Sequence, residues 1–187
     1  PIINGGDGAN QHPTQTLLDL FTIQKVKGKL DKIKIGMVGD LKYGRTVHSL
    51  AKAMAHFNAE MFFVAPESLK MPKGLLEELT RRKVKYHETE DLQKTVKHFD
   101  ILYMTRVQKE RFPDPVEYER VKDAYIISKK SLLPYCRKDL KILHPLPRVN
   151  EIHPNLDDTE QAVYFEQAHN GIPVRQALLA LVTGAIQ

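Results

Sequence analysis

The chain has one cysteine, no tryptophan, no long apolar run and no large excess of either charge, and each shortage closes a class of protein. The lone Cys136 rules out an internal disulfide or a cysteine-rich zinc site built from this chain alone. Eight histidines include no H-E-x-x-H or comparable spacing, so no structural metal is expected. The longest apolar run, residues 177–182, is far too short to span a bilayer, and no charged-then-apolar leader precedes the first glycines. A cytoplasmic location without a membrane partner is therefore the expectation. The net charge of +5, from 28 basic and 23 acidic side chains, is spread without blocks; it suits small anionic ligands better than a nucleic-acid groove.

What is present describes a folded chain. With 187 residues, 42% hydrophobic and 27% charged, it is large enough for a substantial core in one domain or in parts of two. It begins at Pro1, not methionine, with Pro1-Ile2-Ile3 reading as the end of a buried strand, so an upstream portion is expected.

From Ile33 onward, strand and helix patterns alternate in the manner of parallel βαβ units. Strands are expected near 33–38, 60–65, 84–87, 100–104, 125–127 and 141–143. Helices are expected over 44–57, 73–83, 91–97 and 115–121, with a shorter one over 129–135. A first helix starts at Pro13, carries Leu17, Leu18, Phe21 and Val26 on one face, and closes at Gly28. A helix entry is read at 155–159. The last helix, 172–186, carries Val174, Ala177, Leu178, Leu181, Val182 and Ala185 as an apolar stripe that could pack on the first.

Three polar segments leave the carboxyl ends of expected strands, where ligands bind in open α/β sheets. The first, residues 36–46, ends in Gly44-Arg45-Thr46. Arg45 would point into the crevice, or else solvate a helix start. Gly39, Gly44, Arg45 and Thr46 also approximate a phosphate loop with arginine in place of lysine, which keeps a nucleotide hydrolase as an alternative. The second, residues 105–111, places Arg106 and Gln108 beside the same crevice. Two arginines held apart on a rigid sheet suit a ligand with two carboxylates, since each guanidinium grips an oxygen pair bidentately. The competing role for Arg106 is a surface ion pair with Glu110.

The third segment is His144-Pro145-Leu146-Pro147-Arg148. Its prolines remove donors and leave carbonyls, which can accept from an N–H-bearing ligand, and one X-Pro bond could be cis. A rigid turn without a ligand is the plainer reading. At the mouth of the first helix, His12 and Gln15 can face a ligand beside the free N–H groups of the first turn, or serve as a cap and a solvated side chain.

With these residues in view, the whole chain resembles the C-terminal part of the aspartate carbamoyltransferase catalytic chains. The matching segments are Gly6-Asp7-Gly8, residues 11–19 (QHPTQTLLD), 39–49 (GDLKYGRTVHS), 103–111 (YMTRVQKER) and 144–148 (HPLPR), in that order. Ornithine carbamoyltransferases share the histidine-proline helix start but not the two arginine segments, which favours aspartate as the second substrate.

The resemblance implies carbamoyl transfer from carbamoyl phosphate to the amino group of L-aspartate, in pyrimidine synthesis, with no cofactor and no catalytic metal. His12 would polarise the carbamoyl oxygen. Gln15 and the carbonyls of Leu146 and Pro147 would hold the carbamoyl NH2. Arg45 and Arg106, helped by Gln108, would bind the aspartate carboxylates, and residues 109–121 would form a loop that closes on substrates.

It also implies a doubly wound, Rossmann-like aspartate-binding domain over 28–162, with 1–27 and 163–187 belonging to a carbamoyl phosphate domain. The expected assembly is a homotrimer, sometimes joined by regulatory chains. Two departures stand out. Asn150 replaces an aspartate common in relatives. The family's Ser-Thr-Arg-Thr-Arg phosphate loop, a further phosphate-binding arginine, and the serine and lysine donated by a neighbouring subunit are absent. The chain alone is therefore expected to be inactive, the alternative being a non-catalytic dicarboxylate-binding or assembly module.

Overall fold

The computed structural model describes every residue except Ala9, Gln108, Glu110, Arg111, Pro113 and Gln187. Five strands, β1 (Lys34–Val38), β2 (Glu60–Val64), β3 (Tyr86–Thr89), β4 (Ile101–Met104) and β5 (Lys141–Leu143), form one sheet in the order β3-β2-β1-β4-β5. All four pairings are parallel: Val38 lies opposite Val64 on one side and Met104 on the other. The chain moves outward from β1 to β3, returns to place β4 beside β1, and ends at β5. The point where it reverses, between β1 and β4, is where such sheets open a crevice.

Alternation along the strands divides the core between the sheet's two faces. Ile35, Met37, Met61, Phe63, Ile101 and Tyr103 join one buried cluster, together with Val47, Leu50 and Met54 of α2 (Arg45–Met54) and Leu75 and Leu79 of α3 (Lys73–Arg81). Val38, Phe62, Val64, Leu102, Met104 and Ile142 join the other, with Val96, Leu132, Leu140, Ile152 and Tyr164. Apolar residues at both parities are what a sheet covered on both faces requires. The α/β, parallel, doubly wound expectation holds. Gly36 faces the second cluster, where a Cβ would lie 2.1 Å from the Phe99 ring.

Several expected elements differ. Residues 1–3 form no strand and Ile2 is 97% exposed, because no described strand pairs with them. The third strand starts two residues late, since the Val84 amide is still bonded to Leu79 O at the exit of α3. Residues 125–127 contribute only a single bridge, Ile127 to Ile152, before Ser128 opens a capping box with Ser131 and starts α6 (Lys129–Leu132). The entry read at 155–159 is a 3-10 turn, Pro154–Leu156, capped by the His153 side chain.

Two short helices are α4 (Leu92–Thr95) and α5 (Pro115–Val121). The largest difference concerns the terminal helices. The first helix, α1 (Pro13–Lys27), ends at Gly28 with φ 71°, as expected, but Leu17 and Phe21 are exposed. Its buried face is Thr14, Gln15, Thr16, Leu18, Asp19, Thr22 and Ile23. The last helix, α7 (Tyr164–Thr183), begins eight residues before the expected start at 172 and continues through Pro173, which lies on an exposed side. Its apolar residues are not confined to one stripe: Leu181 and Val182 are exposed, and the buried positions are Tyr164, Gln167, Asn170 and Gly171. The two helices do pack together, with Leu18 over Gly171 and polar side chains bonded across the seam.

No helix of the described residues is long and apolar enough to cross a membrane, and no described group of three His, Cys, Asp or Glu could hold a metal ion.

Candidate active site

Glycines and a threonine fix the floor of the site. Gly39, at the end of β1, has φ 112°, and a Cβ there would meet the Thr105 carbonyl oxygen at 2.4 Å. Thr105, at the end of β4, accepts the Asp40 N–H through Oγ1 (3.0 Å) and donates to Val38 O (3.1 Å). The two loop starts at the reversal point are thereby stitched together. Gly44 is held by a similar approach, 2.4 Å from Asp40 O to a would-be Cβ, so α2 begins at Arg45 beside Thr105 and Arg106. Close backbone approach thus accounts for both glycines of the phosphate-loop-like pattern.

Above this floor a cavity of about 170 Å³ is lined by His12 just before α1 and Gln15 in its first turn, Arg45 and Thr46 from α2, Thr105 and Arg106 after β4, and residues 144–147 after β5. It is small enough to suit a metabolite rather than a drug-sized ligand. The structure brings together His12, Gln15, Arg45, Arg106, Leu146 and Pro147, all anticipated from the sequence. Gln108 lies outside the described residues, as do Glu110, Arg111 and Pro113 of the segment read as a closing loop.

His12 occupies the N-cap position of α1 but makes no side-chain cap bond; its backbone N–H donates to Ser49 Oγ (3.1 Å) and its Nδ1 is buried without a hydrogen-bond partner. Burial, reinforced by the positive charges of Arg45 and Arg175, lowers its pKa and favours neutral imidazole. Arg45 does more than line the cavity. Its Nη1 donates to Gly8 O (2.8 Å), and its guanidinium packs 3.2 Å from where a Cβ on Gly6 would stand. It therefore ties loop 4–8 to the site.

The proline loop is shaped by a buried pair. His144 Nε2 lies 2.7 Å from Glu151 Oε1, and His144 Nδ1 accepts the Leu146 N–H (2.8 Å). Because Nδ1 is an acceptor, the proton sits on Nε2 and is donated to the carboxylate. Burial opposes ionisation of Glu151, but the bond from His144 and those from backbone N–H groups prevail and hold its pKa down. Leu146 has φ 50°, a conformation uncommon outside glycine, and the Leu146–Pro147 bond is cis, the isomer anticipated for this loop. Arg148 turns away to Asp157 and Tyr164 and anchors the loop's far end.

Behind Gln15 lies a network that the sequence reading missed. Asp19, fully buried, accepts from Gln15 Nε2 (2.8 Å), Gln167 Nε2 (2.7 Å) and Tyr103 O–H (2.8 Å). Gln167 Oε1 in turn accepts the His144 N–H (2.7 Å). Desolvation raises the Asp19 pKa to about 7 against the pull of these three donors, and burial pushes the Tyr103 phenol up as well. A signal was present: Asp19 stands one turn after Gln15 on the face of α1 that carries Leu18 and Ile23. A carboxylate there has to find buried partners.

Family comparison agrees with this geometry. Residues 31–182 match the aspartate/ornithine carbamoyltransferase Asp/Orn-binding domain, and residues 1–25 match the carbamoyl-P binding domain of that family. The aspartate carbamoyltransferase catalytic subunit of Thermococcus gammatolerans is 55% identical over 186 residues, covering 100% of this chain and 60% of the relative. The catalytic subunit of M. jannaschii aspartate transcarbamoylase superposes with a TM-score of 0.89 at 53% identity, covering 98% of this chain and 60% of that one. Aspartate transcarbamoylase from Trypanosoma cruzi, solved with carbamoyl phosphate and aspartate, gives 0.89 at 39% identity, covering 96% and 59%. The chain thus spans about 60% of the length of the curated relatives it matches. On the strength of the domain match and the fold, the chain belongs to the aspartate/ornithine carbamoyltransferase family.

Proposed function

We propose that this chain forms the aspartate-binding part of a catalytic unit that transfers the carbamoyl group of carbamoyl phosphate to the amino group of L-aspartate, giving N-carbamoyl-L-aspartate and phosphate. The observation that carries the reading is the convergence of two arginines, a neutral histidine and a carbonyl-rich loop on one small cavity. Arg45 and Arg106, with Gln108, bind the two carboxylates of aspartate. His12 donates to the carbamoyl oxygen and stabilises the charge that develops there as the amine attacks. Gln15 and the carbonyls of Leu146 and Pro147 accept from the carbamoyl NH2. Holding amine and carbonyl in line supplies much of the rate, up to roughly 7 to 11 kcal/mol in favourable cases.

Residues 28–162 act as the aspartate domain, with 1–27 and 163–187 contributing to a carbamoyl phosphate domain. The unit works in the cytoplasm in pyrimidine synthesis, as a trimer that can associate with regulatory chains. Lacking the phosphate loop, residues 1–187 alone are inactive.

A chimera tests this. Residues 1–187 replacing the corresponding segment of the M. jannaschii catalytic subunit are expected to support turnover of carbamoyl phosphate and L-aspartate. Arg106→Ala in that chimera raises the KM for L-aspartate at least tenfold and that for carbamoyl phosphate far less. A folded chimera that binds L-aspartate without turnover would favour the non-catalytic module and overturn the proposal.

A further inference from the structure

Asp19 touches no part of the cavity, yet it decides which end of Gln15 faces it. Ionised, as it is above about pH 7, the Asp19 carboxylate only accepts hydrogen bonds. Its Oδ1 is shared by the Gln15 and Gln167 amide nitrogens at 2.8 and 2.7 Å, and its Oδ2 takes the Tyr103 hydroxyl at 2.8 Å. With the Gln15 nitrogen committed to Asp19, the amide oxygen is the end left for a ligand at the cavity wall. Gln167 is fixed through its own oxygen by the His144 N–H, so the network is oriented from both sides. The shared hub draws on α1, β4 and α7, and reaches the start of the proline loop.

We propose that Asp19 is a positioning residue that holds Gln15 with its oxygen toward the cavity, and so selects a transferable group bearing N–H donors over an isostere that lacks them. This deepens the carbamoyl-transfer reading and rests on it. A carbamoyl group and an acetyl group have nearly the same shape, but only the first presents an NH2 to an oxygen-lined wall. An acceptor placed for that NH2 is left unpaired by a methyl group, and sites of this kind discriminate strongly.

Two measurements test the assignment. In the wild-type chain, at a pH above the Asp19 titration, the side-chain amide protons of Gln15 and Gln167 point at the same oxygen and should give a mutual NOE. Its absence, with both amides assigned, would mean that Gln15 is turned the other way and would overturn the proposal.

In the catalytic chimera, Asp19→Asn lets the new amide donate to Gln15 and reverse it. The ratio of kcat/KM for carbamoyl phosphate to that for acetyl phosphate should fall at least tenfold, with the L-aspartate KM within threefold of wild type. In a Gln15→Ala background the same substitution should change that ratio less than twofold. An unchanged ratio, or an equal loss in both backgrounds, would show that Asp19 does not act through Gln15. Failure of the unsubstituted chimera to turn over would instead refute the functional reading, and the NOE would still report on the orientation.

Discussion

The interior of the sheet and the seam between α1 and α7 are both buried, but they are held by different forces. On the sheet, Ile35, Met37, Phe63, Ile101 and Leu102 meet other apolar side chains, and burial at roughly 25 cal/mol per Å² needs no directional match. At the seam, Gln15, Asp19 and Thr22 face Gln167 and Asn170 through hydrogen bonds, each with a required donor and acceptor, while Leu18 lies over Gly171. The first arrangement tolerates repacking; the second specifies one orientation of each amide. It is the specified region that abuts the cavity. Where a side chain must be aimed, the fold uses partners that can be satisfied in only one way.

Substitutions can break this contrast. The largest loss should come from the sheet: Phe63→Ala, at a fully buried position, is expected to cost about 3 to 5 kcal/mol in denaturant unfolding. The orientation of Gln15 should nonetheless survive in the folded fraction.

An effect of comparable order, a few kcal/mol at most and on the order of that for Phe63→Ala, is expected from pH at the seam. The Asp19 pKa is raised from the ordinary carboxylate value to about 7, so between those pH values the folded state binds the extra proton. Stability from this group is therefore fully present below about pH 4 and is lost as pH rises through about 7. Asp19→Asn should flatten that part of the stability–pH curve, whereas Phe63→Ala should lower the curve without changing its slope there.

Removing one seam bond in Asn170→Ala should cost about 1 to 2 kcal/mol, because the buried Thr22 hydroxyl loses its donor. The smallest effect belongs to the rim. Lys25→Ala breaks the 2.7 Å ion pair with Glu166 across the same two helices, but both side chains are about half exposed, and the change should be at most about 1 kcal/mol and vanish in high salt.

The same contrast explains what was legible in the sequence. Strands covered on both faces show as apolar runs, so β1, β2, β4 and β5 could be read directly. The three loops could also be located, since each follows a strand and carries residues whose chemistry suits one ligand. The helical seam could not be read by hydrophobic period. The pattern singled out Leu17, Phe21, Leu181 and Val182, which are exposed, and passed over Asp19, Gln167 and Asn170, whose burial depends on partners 148 residues away in the chain. The His144–Glu151 pair escaped for a similar reason: it is local, but its role depends on which ring nitrogen meets the Leu146 amide. The start of α7 also reads late, at 172 rather than Tyr164, because its first turns carry polar residues whose burial, at Gln167 and Asn170, the apolar stripe does not show.

The central claim is that Arg45 and Arg106 hold one dicarboxylate between them while His12 meets the group to be transferred. A crystal structure of the catalytic chimera with N-(phosphonacetyl)-L-aspartate, the ligand of a T. cruzi relative, tests it most directly. The account predicts one carboxylate on each guanidinium and the amide carbonyl oxygen within hydrogen-bond distance of His12. Carboxylates bound away from either arginine, or a carbonyl oxygen directed at the proline loop, would contradict it.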